Sequence, residues 1–189
     1  MPFDTDAQVS DDALMVLFAN GDGQAAEVLA WRHTPRVLAL ARRMLSDMAE
    51  AEDVAQEALM RLWKIAPDWR AGEAKVSTWL YRVTANLCTD RLRRRRTTDL
   101  DAVPEQMDDA PSAEVRLMTA DRAAALQGAL ARLPERQRLA VSLRFLSDLP
   151  NPEVADIMGV SVDAVESLLA RGKRALATAL AGRRDELGL

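Results

Sequence analysis

Residues 151–174 have the pattern of two short helices joined by a tight turn, and this stretch limits the fold more than any other. Asn151 can cap the first helix, and Pro152 suits the position after it because a first-turn N–H needs no helical partner. Gly159 predicts a left-handed turn that ends this helix, and Ser161 can cap the next one. Two helices joined in this way form the unit whose second helix enters the DNA major groove. The alternative is a plain helical hairpin in an all-α core, and the pattern favours DNA binding.

The two predicted helices each have an apolar side and a polar side. Six apolar positions recur at helical spacing and would pack the helices together: Val154, Ala155, Met158, Val165, Leu168 and Leu169. Ala155 is small, and we expect the helices to cross closely there. The outer side of the second helix carries polar groups: Asp163, Glu166, Ser167, Arg171 and Arg174.

Composition excludes several classes of protein. The chain has 189 residues, enough for one large or two small domains, and 49% of them are apolar. No apolar run approaches the ~20 residues of a membrane helix, and the acidic N-terminus is unlike a signal peptide. Cys88 is the only cysteine and is expected in the core, while His33 is the only histidine. We therefore expect a cytoplasmic protein without membrane insertion, metal or cofactor.

Helical periodicity fills the first half of the chain. Helices are predicted over residues 10–19, 24–45, 49–65 and 77–96. Ser10 would cap the first, whose apolar side is Leu14, Leu17 and Phe18. Pro35 predicts a kink or a break near Thr34, and His33 is expected at the surface or in that kink.

The helix predicted over 49–65 has strongly contrasting sides. Its buried side would contain Val54, Ala55, Ala58, Leu59, Leu62 and Trp63. Its other side contains Glu52, Asp53, Gln56, Glu57, Met60, Arg61 and Lys64. The first turns of this side are acidic and the last is basic, which suits the helix dipole. The pattern is typical either of a solvated face or of a docking face for a basic partner.

Two further features indicate contact with nucleic acid. Trp69 lies in a predicted loop and looks exposed, so it either plugs the core or stacks on unpaired bases. Residues 90–96 contain four consecutive arginines, and no run of carboxylates lies one turn away to pair them. Cations near a helix C-terminus are favourable in any case, but such a dense run favours contact with a polyanion.

The acidic, proline-containing stretch 97–113 predicts a flexible linker. It would join two helical domains, residues 1–96 and 114–189. The second domain would contain helices over 114–133 and 134–146, then the helix-turn-helix and an alanine-rich tail helix. Strand periodicity is absent and no motif predicts catalysis, so we expect an all-α protein that is not an enzyme.

An ordered set of motifs extends over both domains. The first contains AEDVAQEALMRLWK from Ala51 and STWLYRVTANLCTDRLRR from Ser77, and the second contains LPERQR from Leu133 before the helix-turn-helix. With these motifs the chain resembles the extracytoplasmic-function (ECF) sigma factors of bacterial RNA polymerase, from about Asp11 to Arg184. The resemblance implies that the first domain is sigma region 2 and the second is sigma region 4.

The resemblance also implies roles for residues of the first domain. Docking on the β′ clamp helices of core polymerase would involve Asp53, Gln56, Glu57, Met60 and Trp63. The loop and helix that follow would open the −10 promoter element and read it as a single strand, which needs cationic groups and base-stacking groups. The matching positions are Trp69, Arg70, Lys75, Thr78, Trp79, Arg82 and Asn86, with Arg91, Arg93 and Arg94 on phosphates. Trp79 fits a pure core role equally well.

In the second domain, the second helix of the helix-turn-helix would read the −35 duplex. The matching positions are Ser161, Asp163, Glu166, Ser167, Arg171, Lys173 and Arg174. Many family members have a basic residue where Glu166 stands. This carboxylate would be repelled by phosphate but can accept a hydrogen bond from cytosine N4, so Glu166 either specifies a base or faces solvent.

The partners implied are core RNA polymerase, through its β′ clamp helices and β flap, promoter DNA, and an anti-sigma factor. The net charge of −4 is compatible with this, because the polymerase would supply much of the affinity for DNA. Two alternatives stay open: a sigma mimic that sequesters an anti-sigma factor, and a simple helix-turn-helix repressor or activator. The arginine run disfavours the mimic, and a repressor would not need the acidic face around Asp53.

Overall fold

Eight α-helices make up the residues that the computed structural model describes, which are 9–98 and 114–181. Helices α1 to α4 span Asp11–Ala19, Gly23–Leu45, Met48–Ile65 and Val76–Thr98. Helices α5 to α8 span Glu114–Ala131, Glu135–Val141, Asn151–Met158 and Val162–Ala181. A 3-10 turn, Ala66–Asp68, follows α3, and a π-helical segment, Ser142–Leu146, follows α6. No strand occurs in the two described ranges, and the expected all-α fold with two helical domains is confirmed.

The predicted linker begins inside a helix, because α4 continues to Thr98. The rest of it, residues 99–113, lies outside the described ranges. No helix in the described part combines the length and the apolar character that crossing a bilayer demands.

Side-chain caps determine where several helices begin. Ser10 Oγ and Ser161 Oγ each accept from the N–H three residues on, at 3.2 Å, as predicted. Asp47 Oδ1 does the same for α3 at 2.9 Å. The capping role predicted for Asn151 is wrong. A cap needs non-helical backbone angles, and Pro150 supplies them at the start of α7, while Asn151 Oδ1 is buried without a hydrogen-bond partner.

Helix α2 runs continuously through Pro35, so of the kink or break predicted near Thr34 the break does not occur. Thr34 Oγ1 donates to Ala30 O at 2.6 Å, which adds a hydrogen bond where proline removes a donor. The expectation that His33 is a surface residue is also wrong. Its side chain is buried, and His33 Nε2 lies 2.8 Å from Asp11 Oδ2, which fastens α1 to α2.

The core of the first domain lies between α2, α3 and α4. Its largest fully buried side chains are Leu29, Leu40, Met44, Val54, Leu62 and Leu80. Helix α1 adds Leu14 and Met15, while Leu17 stays exposed, contrary to the predicted apolar side. Leu14, Met15 and Phe18 form the side of α1 that faces inward, since Leu14 and Phe18 lie one turn apart and Met15 lies beside Leu14.

In the second domain, α7 and α8 form the predicted helix-turn-helix. Gly159 has φ +62° and ends α7 in the left-handed conformation, as predicted. The reader helix and the tail helix, expected as two, are one helix, α8. Helices α6 and α8 approach each other closely at Gly172, where an added Cβ would meet Val141 Cγ2 of α6 at 2.7 Å.

The two domains are joined by hydrogen bonds at the end of α2. Gln127 Nε2 donates to Arg42 O at 2.8 Å, and Arg138 Nη1 donates to Met44 O at 2.5 Å. The last carbonyls of a helix lack helical donors, so side chains of the second domain complete this end of the first. Burial of its guanidinium at this junction lowers the pKa of Arg138.

Candidate nucleic-acid and protein-binding surfaces

An acidic surface with an apolar centre follows the outer side of α3. Asp53 and Gln56 are exposed. Met60 lies between these residues and the C-terminal end of α3, and its exposed fraction is 60%. Glu57 is partly exposed, and its Oε1 accepts from Arg61 Nη2 at 2.6 Å. We refer to Asp53, Gln56, Glu57 and Met60 as the α3 face.

Trp63, the fifth residue assigned to polymerase binding, lies one helical turn after Met60 and also contacts α1. Its ring packs edge-to-face on Phe18 of α1, with the centroids 5.0 Å apart and the planes at 60°. Trp63 is therefore half-buried and supports α3 against α1.

The arginines at the end of α4 contact the start of α3. Arg91 Nη1 lies 3.6 Å from Asp53 Oδ2, and Arg95 Nη2 lies 2.8 Å from Glu50 Oε1. The first of these ion pairs joins the arginine run to the α3 face. The two surfaces are therefore neighbours, which their separation in the sequence does not indicate.

Two more arginines of the run also have carboxylate partners. Arg93 Nη2 lies 2.9 Å from Asp90 Oδ1 on the same helix, and Arg96 Nη2 lies 2.9 Å from Glu135 Oε2 in the second domain. No run of carboxylates lies one turn away, as the sequence indicates, but single carboxylates pair these arginines one by one. Most of the partners come from distant parts of the chain, so inspection of neighbouring positions does not find them. Arg94 is exposed.

Trp69 is half-buried, contrary to the expectation that it is exposed. Its indole Nε1 donates to Asp12 Oδ1 of α1 at 2.9 Å, and the other oxygen of Asp12 accepts from Gly72 N at 3.1 Å. The rings of Trp69 and Trp79 meet edge-to-face, with centroids 6.4 Å apart and planes at 87°. The structure therefore brings together the two aromatic residues assigned to the −10 element.

Two cationic residues assigned to the −10 element contact α7 of the second domain. Lys75 Nζ forms an ion pair with Glu153, and Arg82 Nη2 donates to Asp156 O at 2.7 Å. These groups face the helix-turn-helix in this arrangement. Single-stranded DNA would compete with α7 for these two cationic groups.

The remaining residues assigned to the −10 element are spread along the loop and α4. Arg70 is exposed and lies 3.4 Å from Glu73 Oε1. Thr78 is half-buried, and Asn86 is exposed and lines a cleft between α4 and the second domain that also contains Pro134.

The residues assigned to the −35 element are all exposed on α8 and the turn before it. Ser161 is also the cap of α8. Arg171 bonds Ser167 through both its Nε and its Nη2, at 3.2 Å and 3.1 Å. Lys173 Nζ lies 4.8 Å from the ring centroid of Phe145, a cation–π contact toward the edge of the surface. Glu166 is exposed.

Three described groups of the first domain have shifted pKa values: Asp11, Cys88 and Arg43, whose pKa is lowered by burial of its guanidinium. The hydrogen bond with His33, helped by Arg32, holds the pKa of Asp11 below its ordinary value, while partial burial opposes this. Burial of its thiol raises the pKa of Cys88 to about 12, which agrees with its predicted core position. Within the described ranges, no three His, Cys, Asp or Glu side chains are placed to hold a metal ion.

The residues that connect these surfaces are not predicted from the sequence. Asp12, Glu153 and Arg138 each contact a group at least five residues away, and most of their partners lie in another helix or domain. Asp12 and Glu153 are both in the first turn of a helix, so the dipole alone accounts for a carboxylate there. No local pattern distinguishes them.

Comparisons with known proteins match both domains. The sigma-70 region 2 model matches residues 29–98, and the sigma-70 region 4 model matches residues 123–176. The RNA polymerase sigma-H factor of Pseudomonas aeruginosa is 30% identical over 184 residues, which cover 92% of this chain and 95% of the relative. The ECF RNA polymerase sigma factor SigE of Mycolicibacterium smegmatis is 31% identical, with 94% of this chain and 72% of the relative covered.

The chain belongs to the ECF family of RNA polymerase sigma factors. The fold of this sigma factor is also similar to that of CnrH, solved in complex with the cytosolic domain of CnrY. The TM-score is 0.69 at 25% identity, with 91% of this chain and 97% of that chain covered. The α3 face lies within the region 2 match, and the polar side of α8 begins within the region 4 match.

Proposed function

We propose that this ECF sigma factor binds core RNA polymerase in the cytoplasm and directs promoter-specific initiation of transcription, without enzymatic activity of its own. The observation that carries the proposal is that one chain of this family combines the exposed α3 face with an exposed polar side of α8. We also propose the domain boundaries 1–96, 97–113 and 114–189 for region 2, linker and region 4.

The α3 face would bind the β′ clamp helices of core polymerase. Its carboxylates at Asp53 and Glu57 supply charge complementarity to a basic partner, and Met60 supplies an adaptable apolar centre. Trp63 would contribute by holding α3 against α1. The second domain would bind the β flap, as the family resemblance implies.

The promoter would contact both domains. Trp69 and Trp79 offer aromatic surface for unpaired bases of the −10 element, with Lys75 and Arg82 on the backbone. In the second domain, Arg171 and Arg174 would contact the −35 duplex from α8. Simultaneous contact with both elements requires the domains to separate from the arrangement described above.

An anti-sigma factor would control access to the α3 face. The support is the exposed Met60 among carboxylates, a surface that a protein partner with basic and apolar groups would cover. The related fold of CnrH was solved with a protein domain bound. A pull-down from the native host that recovers polymerase but never a small second protein would contradict this part of the proposal.

Charge reversal on the α3 face tests the proposal. A variant with Asp53→Arg and Glu57→Arg should bind core polymerase at least roughly a hundredfold more weakly, because close charge pairs at interfaces contribute several kcal/mol. The matched control is Glu27→Arg, an exposed charge reversal on α2 that should leave the affinity unchanged. A simple repressor would bind DNA equally well with either variant and would not bind core polymerase, and that result would refute the proposal.

A further inference from the structure

The first turn of α1 holds the loop between α3 and α4 through one carboxylate. Asp12 Oδ1 accepts from the indole Nε1 of Trp69 at 2.9 Å, and Asp12 Oδ2 accepts from the backbone N of Gly72 at 3.1 Å. These partners lie 57 and 60 residues away in the chain. Both oxygens of one side chain are therefore used on a single distant loop.

The loop has few other restraints at this point. Gly72 has φ +84°, a left-handed conformation that a glycine adopts without strain. The ring of Trp69 is held by the hydrogen bond to Asp12, by edge-to-face packing on Trp79 and by partial burial against the core. Removal of the carboxylate would leave the indole N–H and the Gly72 N–H without these acceptors.

Helix α1 is fastened to α2 by the residue next to Asp12. Asp11, the neighbour of Asp12, binds the opposite way, toward α2, through Arg32 Nη1 at 2.9 Å and His33 Nε2 at 2.8 Å. Arg32 Nη1 also donates to Val9 O at 2.8 Å, before α1 begins. Adjacent carboxylates thus connect α1 to α2 on one side and to the loop on the other.

We propose that Asp12 is a positioning residue for promoter opening: it fixes the ring of Trp69 and the turn at Gly72 so that an unpaired −10 base stacks on a preformed surface. The inference rests on the proposed function of the loop in −10 recognition. Asp12 does not touch the DNA, since a carboxylate is repelled by phosphate and both its oxygens are already used. Preformed contact groups reduce the ordering cost of binding.

The test uses holoenzyme assembled from core polymerase and the full chain, on a promoter fragment that the wild-type protein transcribes. Asp12→Ala should slow open-complex formation about tenfold, the size expected for losing hydrogen bonds to a charged acceptor. Asp12→Asn keeps one side-chain oxygen as an acceptor and should fall in between. The control Asp22→Ala removes the cap of α2, away from the first turn of α1 and from the loop, and should open the promoter at the wild-type rate.

A double-mutant cycle separates positioning from a general loss of stability. In a Trp69→Ala background, Asp12→Ala should add little, because both changes remove the same base-stacking surface. Additive effects, or an equal defect in Asp22→Ala, would overturn the positioning role while leaving −10 recognition by Trp69 intact. If Trp69→Ala itself opens the promoter normally, then both this inference and the proposed −10 function of the loop are wrong. Core binding measured in parallel should be unchanged in all of these variants.

Discussion

Gly172 is the position in the helix-turn-helix domain where a single methyl group should have the clearest effect. An added Cβ would lie 2.7 Å from Val141 Cγ2, and 3.6 Å and 3.7 Å from the carbonyl oxygen and Cβ of Gln137. Val141 is buried and β-branched, so its methyl group cannot swing aside. Gly172→Ala should therefore force α6 and α8 apart, although alanine is the better helix former.

The expected size follows from two opposing terms. Overpacking a close contact costs about 1–3 kcal/mol, while replacing a helical glycine by alanine gains about 1 kcal/mol. Gly172→Ala should thus lower the free energy of unfolding by roughly 1 kcal/mol, or about 4–8 °C in Tm for a domain of this size. Gly128, within α5, is the matched control, because an added Cβ there meets nothing within 4 Å.

Thermal unfolding followed by circular dichroism measures both variants. Gly128→Ala should raise the Tm, since only the helix-propensity term applies. Gly172→Ala should lower it and should also weaken binding to −35 duplex DNA, because α8 is displaced. If Gly172→Ala instead raises the Tm as much as Gly128→Ala does, the close packing of α8 on α6 is wrong.

Predictions at three other residues concern charge and pH. Glu153→Arg places a like charge against Lys75 and should raise the radius of gyration measured by small-angle X-ray scattering. The increase should be modest, because the ion pair is exposed to solvent. An unchanged radius of gyration would contradict the contact between α4 and α7. Cys88, whose thiol pKa is about 12 when folded, should resist iodoacetamide at pH 8 until the protein is denatured. The thiol of the unfolded chain ionises near pH 9, while the buried thiol of the folded protein stays neutral until about pH 12. The free energy of unfolding should therefore fall as the pH rises from about 9 toward 12. The pKa of Asp11 in the folded protein lies below its ordinary value, so ionised Asp11 stabilises the fold at any pH above that ordinary value. This contribution is lost as the pH falls through the lowered pKa of the folded state. Asp11→Asn should therefore make the free energy of unfolding depend less on pH in the acid range.

Local sequence patterns predicted much of the helical framework. Ser10 and Ser161 cap the helices assigned to them, and Gly159 ends α7 as expected. These features depend on residues within one turn of each other, so the sequence displays them directly. The exposed positions of the α3 face were likewise predicted, because helical periodicity separates the two sides of a helix.

The errors share a physical origin in contacts between distant residues. His33 was expected at the surface because nothing near it in the chain indicates the partner Asp11, 22 residues away. Trp69 was expected to be exposed because its acceptor, Asp12, lies on another helix. The arrangement of α7 against α4 depends on Glu153 and Lys75, which are 78 residues apart. A pattern read within a few turns contains no information about such pairs.

The contacts between α4 and α7 affect the two candidate binding surfaces of the first domain differently. The cationic side chains of Lys75 and Arg82 are engaged by the second domain, while the α3 face remains exposed. Under the proposed function, binding of core polymerase at the α3 face can therefore precede separation of the domains on DNA. This order agrees with the net charge of −4, which disfavours binding to DNA by the protein alone.

Run-off transcription is the direct test of the proposed sigma activity. Bacterial core polymerase would be combined with the full chain on genomic promoter fragments, including the region upstream of the protein's own gene. We predict transcripts that require the added protein and disappear with Asp53→Arg. Tight core binding without initiation on any fragment would favour a sigma mimic, and the absence of both core binding and transcripts would contradict the account.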